Sequence, residues 1–112
     1  MQSLPIYLDE IDIQRISCIR FIMPINDIGR DDVQIYVEYG IGMSDEHKLV
    51  CNVWAHILDT VLKGYLLSFE IDKPQTEDKE IDAIMRTLNE SDKFYAVLHG
   101  YLDWADKNRL KE

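Results

Sequence analysis

The chain has 112 residues, enough for one domain with a real core that needs no metal or disulfide staple. It carries 21 Asp plus Glu against 12 Lys plus Arg, a net charge of −9, yet 46% hydrophobic and 10% aromatic residues exclude the disorder such charge would otherwise suggest. Scattered basic residues exclude a phosphate-gripping stripe, and so direct nucleic-acid binding, and no run approaches the roughly 18 apolar residues of a membrane span.

At the N-terminus, MQSLPIYLDEID lacks a basic segment and reaches acid within a few residues, unlike a secretory signal. The expectation is a cytoplasmic protein of one domain spanning 1–112. Between Ile11 and Ile25 an isoleucine-rich run is stopped by Pro24. Its apolar phase shifts: Ile11 and Ile13 share one parity, Ile16 and Cys18 the other, and Ile19, Phe21 and Met23 return to the first. That pattern suits a strand with a bulge, or one covered on both faces, better than the competing helix. Asn26, Asp27, Gly29 and Arg30 supply turn chemistry. Val33, Ile35, Val37 and Tyr39 then alternate with Gln34, Tyr36, Glu38 and Gly40, the period of a strand with one buried face. The first part of the chain is therefore expected to form a β-hairpin.

After Gly42 the spacing predicts a helix. Ser44 would be its N-cap, Asp45 and Glu46 its acidic first turn, and Lys63 with Gly64 its stop. Leu49, Val50, Val53, Trp54, Ile57, Leu58, Val61 and Leu62 would form its apolar stripe. Tyr65 to Ile71 is expected as a third strand. Thr76 is expected to cap a helix opened by Glu77 and Asp78, with Ile81, Ile84, Met85 and Leu88 buried. Ser91 would cap a last helix ending near Arg109, with Phe94, Val97, Leu98, Tyr101 and Ala105 inward. The predicted fold is α+β: a small antiparallel sheet, a hairpin plus one further strand, packed against three helices in the order β-β-α-β-α-α.

Few constellations promise catalysis. His56 with Asp59, and His99 with Asp103, would each share a helical face, but nothing supplies the third and fourth ligands of a metal site. They read as solvated pairs. Cys18 and Cys51 fit no ligand or CxxC spacing and are expected as reduced core residues, with a disulfide as the alternative. The serines lack a nucleophile context, and the acids Asp45 and Glu46 after Gly40-Ile41-Gly42 would repel a phosphate. No catalytic residue, metal or cofactor is assigned.

Carboxylates cluster at Asp9, Glu10 and Asp12, at Asp31 and Asp32, and at Glu77, Asp78 and Asp82. Acid runs at turns and helix starts are ordinarily solvated surface; otherwise, beside aromatic anchors, they recognise a basic surface. On that second reading the partner-binding candidates are Tyr36 with Glu38, the run Glu77, Asp78 and Asp82, and Trp104 with Asp103 and Asp106. The acid excess is shared by both halves, 10 acids to 5 bases over residues 1–69 and 11 to 7 over 70–112, so neither is an acidic tail. The expected function is a small acidic binding protein that neutralises a basic protein partner, such as an immunity protein or inhibitor of a nuclease-type toxin, or a phage-encoded inhibitor. The alternatives are an oligomeric scaffold or adaptor, and a small enzyme or ligand-binding domain with a pocket between sheet and helices.

Overall fold

The computed structural model describes residues 6–8, 19–24, 30–42, 46–58, 60 and 63–109. Five strands come first: β1 (Ile6–Leu8), β2 (Ile19–Met23), β3 (Val33–Ile41), β4 (Lys48–Ile57) and β5 (Lys63–Asp72). A 3-10 turn, Glu77–Lys79, leads into α1 (Glu80–Asn89), and α2 (Asp92–Arg109) follows. All strand pairs are antiparallel and the sheet order is β1-β5-β4-β3-β2, a meander from β2 to β5 with the three-residue β1 added beside β5.

The α+β class and antiparallel sheet are as expected; the order is not. The segment predicted as the first helix is strand β4, the centre of the sheet, so the described residues form two α-helices rather than three. The physical reason lies in its burial. Leu49, Cys51, Val53, Ala55 and Ile57 are buried toward the core, while Val50 and Asn52 are buried on the other face. A strand with buried apolar residues on both faces loses its clean alternation, and its run then also satisfies i, i+3, i+4 spacing. Lys63 and Gly64, read as a helix stop, instead open β5, and Gly40 to Gly42 lead from strand to strand, with the Gly42 amide donating to the Lys48 carbonyl at 2.9 Å. The expectations at residues 9–18, Asn26 to Gly29, Ser44, Asp45, Asp59, Val61 and Leu62 lie outside the described residues.

Strand β3 alternates as its sequence predicts, with Ile35, Val37 and Tyr39 buried toward the core. Strand β5 contains an irregularity. Val53 is opposite Leu67 but Trp54 is opposite Tyr65, leaving Leu66 as the extra residue of a bulge. The bulge puts Leu66 and Leu67 together in the core and shifts the parity, so that Tyr65 and Ser68 both fall on the face away from it.

Both helices cover the core face. Ile84 and Leu88 of α1, and Phe94, Leu98, Leu102 and Ala105 of α2, pack into the cluster that holds Val53, Phe69 and Ile35. Ile81, Met85, Val97 and Tyr101 pack half-buried at its margin, and Leu102, omitted from the predicted inward face, is buried. Ser91 caps α2 as expected: its hydroxyl accepts from the Phe94 amide at 3.0 Å. Thr76 makes no such bond; its carbonyl accepts from the Lys79 amide to form the 3-10 turn. No helix among the described residues is long and apolar enough to cross a membrane.

Candidate functional site

The face of the sheet opposite the helices is built from the even-numbered residues of β2, β3 and β4, and the bulge brings Lys63, Tyr65 and Ser68 of β5 into line with them. The strand register sets three rows of these side chains next to one another across the sheet. Ile22, Tyr36, Trp54 and Tyr65 form one row, and Arg20, Glu38, Asn52 and Ser68 the next. Gln34, His56 and Lys63 form the third.

The polar row is a connected chain of hydrogen bonds. Arg20 Nε donates to Glu38 Oε2 at 3.1 Å, and Asn52 Nδ2 donates to Glu38 Oε1 at 3.3 Å. Ser68 Oγ donates to Asn52 Oδ1. A hydroxyl has one proton, so with that proton given to Asn52 the 2.7 Å contact between Tyr65 and Ser68 has the Tyr65 phenol as donor. The donors from Tyr65 through Ser68 to Asn52 thus point one way and Arg20 donates from the other side, so the row converges on the Glu38 carboxylate. Asn52 and Ser68 are buried, where an unbonded polar group would be costly, and the row satisfies them.

The neighbouring row is apolar and aromatic. Ile22 is 51% exposed and Tyr65 36%, while Tyr36 and Trp54 are half-buried between them. Trp54 and Tyr65 meet edge to face with ring centroids 6.1 Å apart, and Tyr36 lies 6.0 Å from the His56 ring. Tyr36 also donates its hydroxyl to Gln34 Oε1 at 2.7 Å. Lys63 Nζ stands 4.8 Å from the Tyr36 ring centre and 5.9 Å from that of Trp54. Between the two rows runs a groove of about 510 Å³, lined by Arg20, Tyr36, Val37, Glu38, Trp54 and Lys63.

Little in this face is arranged for bond-making. Ser68 directs its proton to an amide oxygen, which cannot act as a general base. His56 Nε2 lies 2.9 Å from the Thr60 carbonyl, an acceptor only, so that nitrogen carries the hydrogen. Cys51 is free and points into the opposite, core side, where burial pushes its thiol pKa up and leaves little thiolate. This agrees with the reduced core residue expected there; Cys18 lies outside the described residues. His56 belongs to a strand and not to the predicted helix, and among the described residues no group of three or more His, Cys, Asp or Glu could hold a metal ion.

The sequence-predicted site residues divide between the two sides of the molecule. Tyr36 and Glu38 lie together in the groove. Glu77 and Asp78 are exposed in the 3-10 turn, Asp82 on α1, and Asp103 and Trp104 on α2, all in the helical layer behind the sheet. Trp104 is 54% exposed and stacks on Tyr101 at 6.1 Å. Asp106 Oδ2 accepts from Arg30 Nη1 at 2.9 Å, and Arg30 also grips both carboxylate oxygens of Asp32 at 2.9 and 2.8 Å. Asp106 therefore ties α2 to the start of β3, and Glu38 is the acceptor end of an internal network.

Sequence reasoning missed Trp54, Tyr65, Lys63 and Arg20 as members of this face. The signal lay in β4: as a strand, its even positions place Trp54 directly opposite Tyr36. Comparison with family models, with curated proteins and with solved structures finds no match to this chain.

Proposed function

We propose that this chain is a non-catalytic binding domain that docks a basic protein partner on the face of its sheet opposite the helices. The observation that carries the reading is the row Ile22, Tyr36, Trp54 and Tyr65, which crosses four strands beside a connected polar row. Tyrosine and tryptophan offer large contact area at low entropic cost and are enriched where interfaces hold most of their binding energy. The strands fix the ring positions before contact, so little ordering remains to be done on binding. A net charge of −9 selects for a basic partner and accelerates its approach. An inhibitor or immunity protein for a basic toxin, or a phage-encoded inhibitor, is the kind of protein this combination serves.

The test is capture from the source cells on the immobilised chain, with identification of what is retained. A basic protein should be held by the wild type, released by salt, and lost from Tyr36→Thr and Trp54→Thr, substitutions that preserve strand propensity. Retention that both variants match, at unchanged thermal stability, rules the face out.

One observation favours a second reading, an oligomeric scaffold. Strand β2 lies at an edge of the sheet and exposes Ile19 and Ile22, at 47% and 51%. Self-association through it would make the molar mass rise with concentration and Ile22→Lys would abolish the rise.

A further inference from the structure

Lys63 stands apart from the usual fate of a lysine in an acidic chain. Among the described residues its ammonium has no carboxylate partner; it sits against the Tyr36 and Trp54 rings instead. The ring faces carry the negative part of the aromatic quadrupole, so two of them turned on one ammonium make a cation cleft. Glu38 lines the same groove, and its two hydrogen bonds, from Arg20 and Asn52, fill about half of a carboxylate's roughly four acceptor positions. Two rings and a carboxylate with spare acceptor capacity are the groups that recognise an ammonium or guanidinium.

We propose that the Tyr36, Trp54 and Glu38 cleft is a recognition site for a lysine or arginine side chain of the partner, and that Lys63 occupies it in the free protein. This rests on the docking reading above and deepens it by naming what the groove takes. Exchange, rather than addition, follows from charge. Arg20 already offsets Glu38, so a second ammonium beside Lys63 would meet net repulsion, whereas replacing Lys63 leaves the charge of the groove unchanged. Lys63 is exposed and begins its strand, so its side chain can swing into solvent without disturbing the core.

The inference is testable without the partner. In a Trp104→Phe background Trp54 is the sole tryptophan, and its emission reports the cleft. The probe is tetramethylammonium chloride at constant ionic strength against sodium chloride, with tert-butanol as a neutral molecule of similar shape. Removing the resident ammonium in Lys63→Ala should lower the half-saturating tetramethylammonium concentration by about threefold or more, with tert-butanol giving no saturable response. Lys63→Met, which keeps the apolar stem, should behave as Lys63→Ala does, and Tyr36→Thr added to either should erase the response. Equal half-saturation with and without Lys63, an equal response to tert-butanol, or no saturable response in any folded variant would overturn the proposal. Loss of this effect with partner capture intact removes only the role of the cleft; a saturable cation site in a chain that captures no partner removes the docking reading and leaves the site.

Discussion

Gly64 shows how closely one position of the core face is fitted. A Cβ there would lie 2.6 Å from Tyr101 Cζ and 2.9 Å from its hydroxyl, so the ring of Tyr101, itself stacked on Trp104, occupies the space that a side chain would need. Gly64→Ala must push that ring aside, and overpacking of this kind costs about 1–3 kcal/mol. Denaturant unfolding should show the loss, and the double variant with Tyr101→Ala should be less destabilised than the sum of the two singles. Additive losses would mean that the ring yields freely. Tyr39 provides a second residue-level test. Burial, reinforced by the negative charge of Glu80, holds its phenol above the ordinary value near 10. The folded state then keeps the proton more tightly than the unfolded chain does. That contribution is complete below about pH 10 and is lost as pH rises through the unfolded value toward the folded one. Between about pH 9.5 and 11, wild-type stability should fall more steeply than that of Tyr39→Phe; parallel curves would show that the phenol titrates as it does in the unfolded chain.

Among the elements, α2 is held at both ends by identifiable side chains, Ser91 at its start and the Arg30 bridge to Asp106 near its end. The Asp32 and Asp106 carboxylates raise the Arg30 pKa above its ordinary value, Asp32 contributing the larger part through its paired hydrogen bonds. A lysine cannot reproduce two bonds to one carboxylate and a third to another. Because the pairs are partly exposed, Arg30→Lys should cost only about 1 kcal/mol, read as a lower denaturant midpoint with unchanged slope. An unchanged midpoint would make the bridge a bystander. How much of these elements could be read in the sequence depends on how many of their faces are covered. Strand β3 and the two helices have one strongly buried side and were recognisable by period, as was the Ser91 cap. Strand β4 has buried residues on both faces, Val50 and Asn52 as well as the core-facing set, and its Leu49 to Ile57 run imitates a helix. Its β-branched Val50, Val53 and Ile57 were the available counter-signal. The bulge at Leu66 left no periodic trace at all, since it is defined by its pairing with β4. With β4 misplaced, half of the groove was invisible: Tyr36 and Glu38 could be named from the alternation of β3, but Trp54 was assigned to a helix core and Lys63 to a helix stop.

For the whole molecule, the net charge of −9 and the sheet face describe two stages of one encounter. Glu77, Asp78, Glu80, Asp82 and Asp92 sit in the first turns of helices, where the helix dipole already favours acids, so their presence alone is weak testimony to recognition. Their summed field still steers a basic partner, which affects the association rate, while the rings of the opposite face govern how long the complex lasts. The two sides are separated by the sheet and can be varied independently. The decisive measurement is the association and dissociation of the captured basic partner by stopped flow across a ladder of salt, comparing wild type, Trp54→Thr, and the triple change of Glu77, Asp78 and Asp82 to Lys. Trp54→Thr should raise the dissociation rate about tenfold or more and leave the salt dependence of association intact, whereas the triple reversal should slow association and flatten its salt dependence. Unchanged dissociation from folded Trp54→Thr, with the triple reversal alone abolishing the complex, would place the interface on the helices and contradict the binding face described above.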